Sequence, residues 1–157
     1  MEWMERFRRR GISCVYGENH GTQGGCGVGK NGAVAQSHGR ILCFQDADDV
    51  MYPERIQKEY DVLVQHPNAL VGTRFECACS SILMPRRRPA NAMRHYTEWL
   101  NKLTDDDLMK YQYREVLLIQ PTWMMSRATF DRIGGYLEKG TDKVPFPEVV
   151  EAEESEL

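Results

Sequence analysis

Apolar residues recur along the chain in two alternating rhythms. Trp3, Met4 and Phe7 fall on one side of a helix expected over 2–10, and the run Ile12-Ser13-Cys14-Val15-Tyr16 suits a strand. A glycine-rich loop is expected next, then a short helix over 31–37 that stops at Gly39, and a strand over 41–45. Pro53 stands at the favoured first-turn position of a helix with Ile56, Tyr60, Leu63 and Val64 on its apolar side, and His66-Pro67-Asn68 ends it. Residues 69–73 read as a strand, 80–91 as a long polar, Pro-rich loop, and 94–103 and 105–113 as helices. A short strand over 122–125 precedes a helix over 127–133, which Ser126 caps and Gly134-Gly135 ends. Strands alternating with helices imply an α/β sheet with helices on its faces.

The chain has 157 residues, 41% hydrophobic and 27% charged, enough to bury one core. One domain, or part of one, is expected over 1–137. Residues 138–157 run into an acidic tail with Glu148, Glu151, Glu153, Glu154 and Glu156, which is too polar to bury much surface and is expected to be disordered. The net charge of −3 argues against nucleic acid as a partner, since phosphates demand a clustered basic surface. The one basic run, Arg86-Arg87-Arg88 between Pro85 and Pro89, reads as a solvated loop. Five cysteines, odd in number and without CxxC spacing, suggest reduced thiols, with Cys43 a small hydrophobe inside its strand. No membrane segment is expected, because no window approaches the roughly 20 apolar residues that span a bilayer. These features together lead to the expectation of a cytoplasmic protein.

Candidate chemistry concentrates where the strand over 41–45 meets Asp46-Ala47-Asp48-Asp49. Three carboxylates so close repel one another and call for a cation, although Asp is also common in ordinary turns. The glycines upstream allow three motifs. Gly24-Gly25-Cys26-Gly27-Val28-Gly29-Lys30 fits GxxxxGK, but Asn31 stands where a P-loop needs a hydroxyl for magnesium. Gly27-Val28-Gly29-Lys30-Asn31-Gly32 fits GxGxxG, but ten residues separate it from the preceding strand. In the third reading the glycines approach a helix starting near Lys30 and Asn31, whose N-terminus favours an anion while the aspartates hold a metal.

Taken in order, Gly27-Val28-Gly29-Lys30-Asn31, the small residues from Ala35 to Gly39, the strand into Asp46-Ala47-Asp48-Asp49, and Pro53-Glu54-Arg55-Ile56 resemble the central block of family 2 glycosyltransferases. A second block, Gln120-Pro121-Thr122-Trp123 through Gly134-Gly135-Tyr136, is similar to the acceptor side of that family. The resemblance implies a GT-A-like (Rossmann-related) mixed sheet flanked by helices, and a sugar, N-acetylglucosamine, moved from UDP-GlcNAc to an acceptor hydroxyl with inversion. It implies Lys30, Asn31, Asp46 and Asp48 as donor contacts. Asp46 and Asp48 would hold Mn2+ or Mg2+, Asp49 would support that shell, and Trp123 would face the acceptor sugar. His95 and Arg127 are given no role.

Against the family pattern, the uracil-gripping first strand and the C-terminal Glu-Asp pair are missing, with Glu148 only a weak substitute for the base. The catalytic base is therefore unassigned, and a truncated form of reduced activity is expected. The alternative expectation is an inactive remnant that associates with the full-length enzyme.

Overall fold

Alternate residues of three short strands point to opposite faces of one sheet, and each face finds helices to bury it. The strands are Ile41–Cys43 (β1), Leu70–Gly72 (β2) and Met124–Ser126 (β3), seen in a computed structural model that describes residues 2–17, 25–77, 91–112, 116–137 and 149–151. The strand β3 lies between β1 and β2 and is antiparallel to both, with Leu42 opposite Met125 and Val71 opposite Met124. A hydrogen bond from the Phe44 amide to the Trp123 carbonyl, at 2.8 Å, continues the β1 ladder.

Leu42, Phe44, Leu70 and Met125 form one cluster with Val34 of the helix Gly25–Gln36 (α2) and Phe130 of the helix Arg127–Ile133 (α6). Val71 and Met124 point the other way, onto Leu63 of the helix Arg55–Gln65 (α3) and Ala69. Three-residue strands make few ladder bonds. Full burial of each such apolar side chain contributes about 1.5–3 kcal/mol, so covering both faces is what stabilises them. The helices Asn91–Leu100 (α4) and Asp105–Tyr111 (α5) pack a separate cluster around Leu100, Leu103 and Leu108, and Thr104 caps α5 with a reciprocal bond to Asp107. The mixed α/β architecture agrees with the expected fold class.

Four local expectations are corrected. The stretch 12–16 forms no strand, and Ile12, Val15 and Tyr16 are exposed beyond the N-terminal helix Glu2–Arg8 (α1). The glycines from 25 onward lie in α2 and not in a loop; close neighbours exclude a side chain at Gly27, while a Cβ at Gly25, Gly29 or Gly32 would meet open space. In α3 the sheet-facing column is Arg55, Glu59 and Leu63, whereas Ile56, Tyr60 and Val64 are exposed. Lastly, Val149–Glu151 (β4) pairs parallel to β2, Leu70 opposite Val149, so three residues of the acidic tail are ordered. Two adjacent valines suit a strand, and the outer side of β2 offers the unpaired backbone that they bond. The basic run 86–88 and the remainder of 138–157 lie outside the described residues.

Polar rather than apolar contacts set the rotation of α3. The Arg55 guanidinium donates to the Phe44 carbonyl (2.9 Å), to Gln45 Oε1 (2.7 Å) and to Glu59 Oε1 (2.9 Å). Arg55 is 8% exposed and Glu59 is 0% exposed. Cys43 joins this network through its Sγ, 3.9 Å from Glu59 Oε2, instead of acting as a plain hydrophobe. Burial pushes the Glu59 carboxyl up, and the Arg55 hydrogen bond and charge only partly oppose this. Removing one partner of a buried pair strands the other's charge. Arg55→Ala should therefore cost about 3–5 kcal/mol in urea denaturation, and Arg55→Met combined with Glu59→Leu should recover part of that loss. A single-variant cost below about 1 kcal/mol would show that the pair is not holding α3 to β1.

Candidate functional site

The Asp46-Ala47-Asp48-Asp49 segment leaves β1 as a turn closed by the Asp49 amide on the Asp46 carbonyl, at 3.3 Å. Its position is fixed from behind, because the residues just before it are those that Arg55 clamps. Partial burial, then the charges of Asp48 and Asp46, push the Asp49 carboxyl above its usual range; Arg55 and Lys30 oppose this less strongly. The turn therefore carries negative charge that its surroundings do not neutralise.

Lys30 reaches this turn from α2. Its Nζ is 2.9 Å from Asp46 Oδ1, with the Lys30 side chain only 13% exposed, and the same ammonium lies 5.5 Å from the centre of the Tyr136 ring. Asn31, the next residue, binds the backbone of Tyr136 twice: its amide donates to the Tyr136 carbonyl (3.0 Å), and its Oδ1 accepts from the Tyr136 amide (2.9 Å).

Two glycines make that approach possible. A Cβ on Gly27 would stand 3.0 Å from the Leu137 carbonyl oxygen and 3.2 Å from Tyr136 Cβ. At Gly135, where φ is +75°, it would stand 2.9 Å from Asn31 Oδ1. The Gly134-Gly135 pair after α6 thus both ends the helix and admits the asparagine.

Tyr136 is the hub of an aromatic group. Its ring stacks on Trp123 (5.6 Å, 10°), meets Phe44 edge-on (5.3 Å) and leans on Phe130 (6.1 Å). Its hydroxyl is buried and has no hydrogen-bond partner among the described residues. Burial, followed by the nearby Asp46 carboxylate, pushes its pKa up, so the phenol keeps its proton.

The structure brings Lys30, Asn31 and Asp46 together, places Asp48 exposed on the same turn, and puts half-buried Trp123 beside them through Tyr136. The Trp123 indole donates to the Leu118 carbonyl (2.8 Å), which fixes its plane. Arg127, given no role from sequence, is structural: its guanidinium donates to the carbonyls of Val34, Ser37 and Gly39, tying the end of α2 to the start of α6. His95 is exposed on α4, and Glu148 lies outside the described residues.

The P-loop and dinucleotide motifs are corrected as well. Gly25 to Gly32 are helical, so no glycine loop turns its amides around a phosphate there. Sequence reasoning overlooked Tyr136 and Arg55 as individual site residues. Their signals were the aromatic after Gly134-Gly135 and the basic residue in Pro53-Glu54-Arg55.

No group of three or more His, Cys, Asp or Glu side chains is arranged as a metal cage among the described residues. The carboxylates of Asp46 and Asp48 on one turn are hard oxygen donors of the type that a divalent cation takes, in a number that would leave its other positions to further ligands. Uncompensated repulsion within the turn favours such a cation. No described helix is long and apolar enough to cross a membrane.

Comparison with known proteins adds one finding. The protein-family model described as "Glycosyl transferase family 2" matches residues 4–134, a span that runs from within α1 to the end of α6 and takes in the Lys30, Asp46 and Trp123 neighbourhood except Gly135 to Leu137. No solved structure matches the chain.

Asn31 carries the geometry. Asn31→Ala leaves the amide and carbonyl of Tyr136 unpaired in a half-buried setting and should cost about 2–3 kcal/mol, read from chemical denaturation. Asn31→Asp retains the acceptor but loses the donor and should fall between. Equal stability of all three proteins would contradict the pairing.

Proposed function

Because the chain belongs to glycosyl transferase family 2, we propose that its site takes a UDP-sugar, with N-acetylglucosamine as the sugar, and transfers that sugar to an acceptor hydroxyl with inversion, in the manner of a β-1,3-N-acetylglucosaminyltransferase. The mixed α/β architecture is consistent with a GT-A-like domain. The single observation that carries the donor reading is the Lys30–Asp46 contact, which holds a phosphate-binding cation and a hydroxyl-accepting carboxylate 2.9 Å apart at the end of a strand.

In this reading Lys30 exchanges Asp46 for a diphosphate oxygen when the donor enters. The released Asp46 then accepts from a ribose or sugar hydroxyl, and Asn31 keeps the Lys30 backbone in register with Tyr136. Asp48, with Asp46, would hold Mn2+ or Mg2+. Once bound, that ion would neutralise charge on the departing UDP. Trp123 offers a ring against which an acceptor sugar would pack. Transfer forms a bond from the acceptor oxygen to the anomeric carbon as the bond from that carbon to the diphosphate oxygen breaks; the electron pair leaves with UDP, and the hydroxyl proton passes to a base, for which no residue is assigned. Single displacement places the acceptor on the face opposite UDP, which is why the configuration inverts.

The decisive measurement is a thermal-shift titration of the purified chain with UDP and Mn2+, separately and together. Stabilisation should require both, reaching about 2.7 kcal/mol when ligand stands about a hundredfold above its Kd. Asp48→Ala should abolish the metal-dependent shift, and Lys30→Met should weaken binding of UDP whatever the sugar. A shift with ATP that exceeds the one with UDP, or one indifferent to metal, would overturn the reading.

A further inference from the structure

We propose that the Tyr136 hydroxyl is a specificity-determining donor contact, giving a hydrogen bond to an oxygen of the nucleoside-diphosphate sugar held beside Lys30 and Asp46. The inference rests on the donor-site reading above and adds to it a residue for which that reading has no use.

Every structural task at this position is met without the hydroxyl. The ring supplies the contacts to Trp123, Phe44 and Phe130, and the backbone is held by Asn31. Phenylalanine would perform all of them. Tyr136 is only 9% exposed, and its hydroxyl oxygen is buried without a partner among the described residues. A buried hydroxyl left unpaired is destabilising, so its presence calls for a reason outside the apo fold.

The surroundings indicate where that reason lies. Lys30 Nζ sits over the Tyr136 ring and pairs with Asp46, so the ring borders the same charged pair that would meet a diphosphate sugar. The ring is thus a wall of the corner in which Lys30 and Asp46 stand 2.9 Å apart, and its hydroxyl is the buried donor there that no described residue uses. The ring itself cannot swing away. Packing on three aromatics and two hydrogen bonds to its backbone keep the donor aimed, and a preorganised donor binds without ordering cost. An oxygen of the phosphate or of the sugar has the chemistry it lacks, since both accept from a neutral phenol.

Tyr136→Phe removes the hydroxyl and nothing else. Expected results are a melting temperature without ligand equal to or above that of the wild type, and, by calorimetry in the presence of Mn2+, binding of UDP-GlcNAc weakened about ten- to a hundredfold. Weakening of UDP as well assigns the contact to the nucleotide diphosphate, and weakening of UDP-GlcNAc alone assigns it to the sugar; both uphold the proposal. Unchanged affinity in a variant whose wild type binds would overturn the Tyr136 contact and leave the donor site standing. A wild type that binds neither ligand would overturn both. A clear fall in the ligand-free melting temperature would also overturn the contact, by showing that the hydroxyl is already satisfied within the fold.

Discussion

The double hydrogen bond between Asn31 and the backbone of Tyr136 is the constraint on which the site depends. It joins two segments 105 residues apart in sequence, at a place where Gly27 of α2 and Gly135 after α6 leave no side chain in the way. Gly27 lets α2 approach Leu137, and Gly135 lets the asparagine enter. The contact fixes α2 against Tyr136 and so carries Lys30 to within reach of Asp46 in the turn after β1. With it, α2, β1 and the aromatic group share one corner of the sheet, and helix α2 packs close despite its high content of glycine, a residue that costs about 1 kcal/mol each in a helix interior relative to alanine.

The opposite face of the sheet is held by different physics. There Arg55 and Glu59 replace apolar packing with a buried charged pair that reads the backbone of Phe44 and the side chain of Gln45. Such a pair adds little net stability compared with hydrophobic residues of the same size, but it tolerates only one register. What it secures is the path of the chain into Asp46. The acidic turn is therefore gripped from both faces, by Arg55 behind and by Lys30 in front.

Much of this was legible in the sequence, and the parts that were not have physical reasons. The helix over 127–133 with its Ser126 cap and glycine end, the strand ahead of the aspartates and the helix after Pro53 all follow local rules that act within a few residues. The run 12–16 satisfied the pattern of a strand, yet pattern does not supply a neighbour to pair with. Glycine in α2 argued for a loop because its usual effect is entropic; close approach of Leu137 reverses that, and only the folded chain shows it. The rotation of α3 was hidden for a related reason, since periodicity counts apolar residues and cannot anticipate a buried arginine. Lys30, Asn31 and Asp46 were singled out as donor contacts, and the structure sets Lys30 2.9 Å from Asp46 with Asn31 next in the chain. The tyrosine between them was not singled out, because an aromatic after two glycines reads first as core.

Charge balance shows how the pieces act together in the proposed donor site. Among the described residues, the turn that carries Asp46, Asp48 and Asp49 has the Lys30 ammonium paired with Asp46, while Arg55 is committed to Glu59 and the strand end. A diphosphate brings further negative charge to a turn where Asp49 already resists ionisation. Lys30 cannot serve both Asp46 and the phosphates, so donor binding without a divalent ion would leave the turn more strongly self-repelling than before. Asp46 and Asp48 would hold a divalent cation there, whose charge would offset that conflict and leave Lys30 able to exchange partners. Tyr136 complements this exchange: as a neutral donor it can satisfy a ligand oxygen without adding charge to a corner where charge is the limiting quantity.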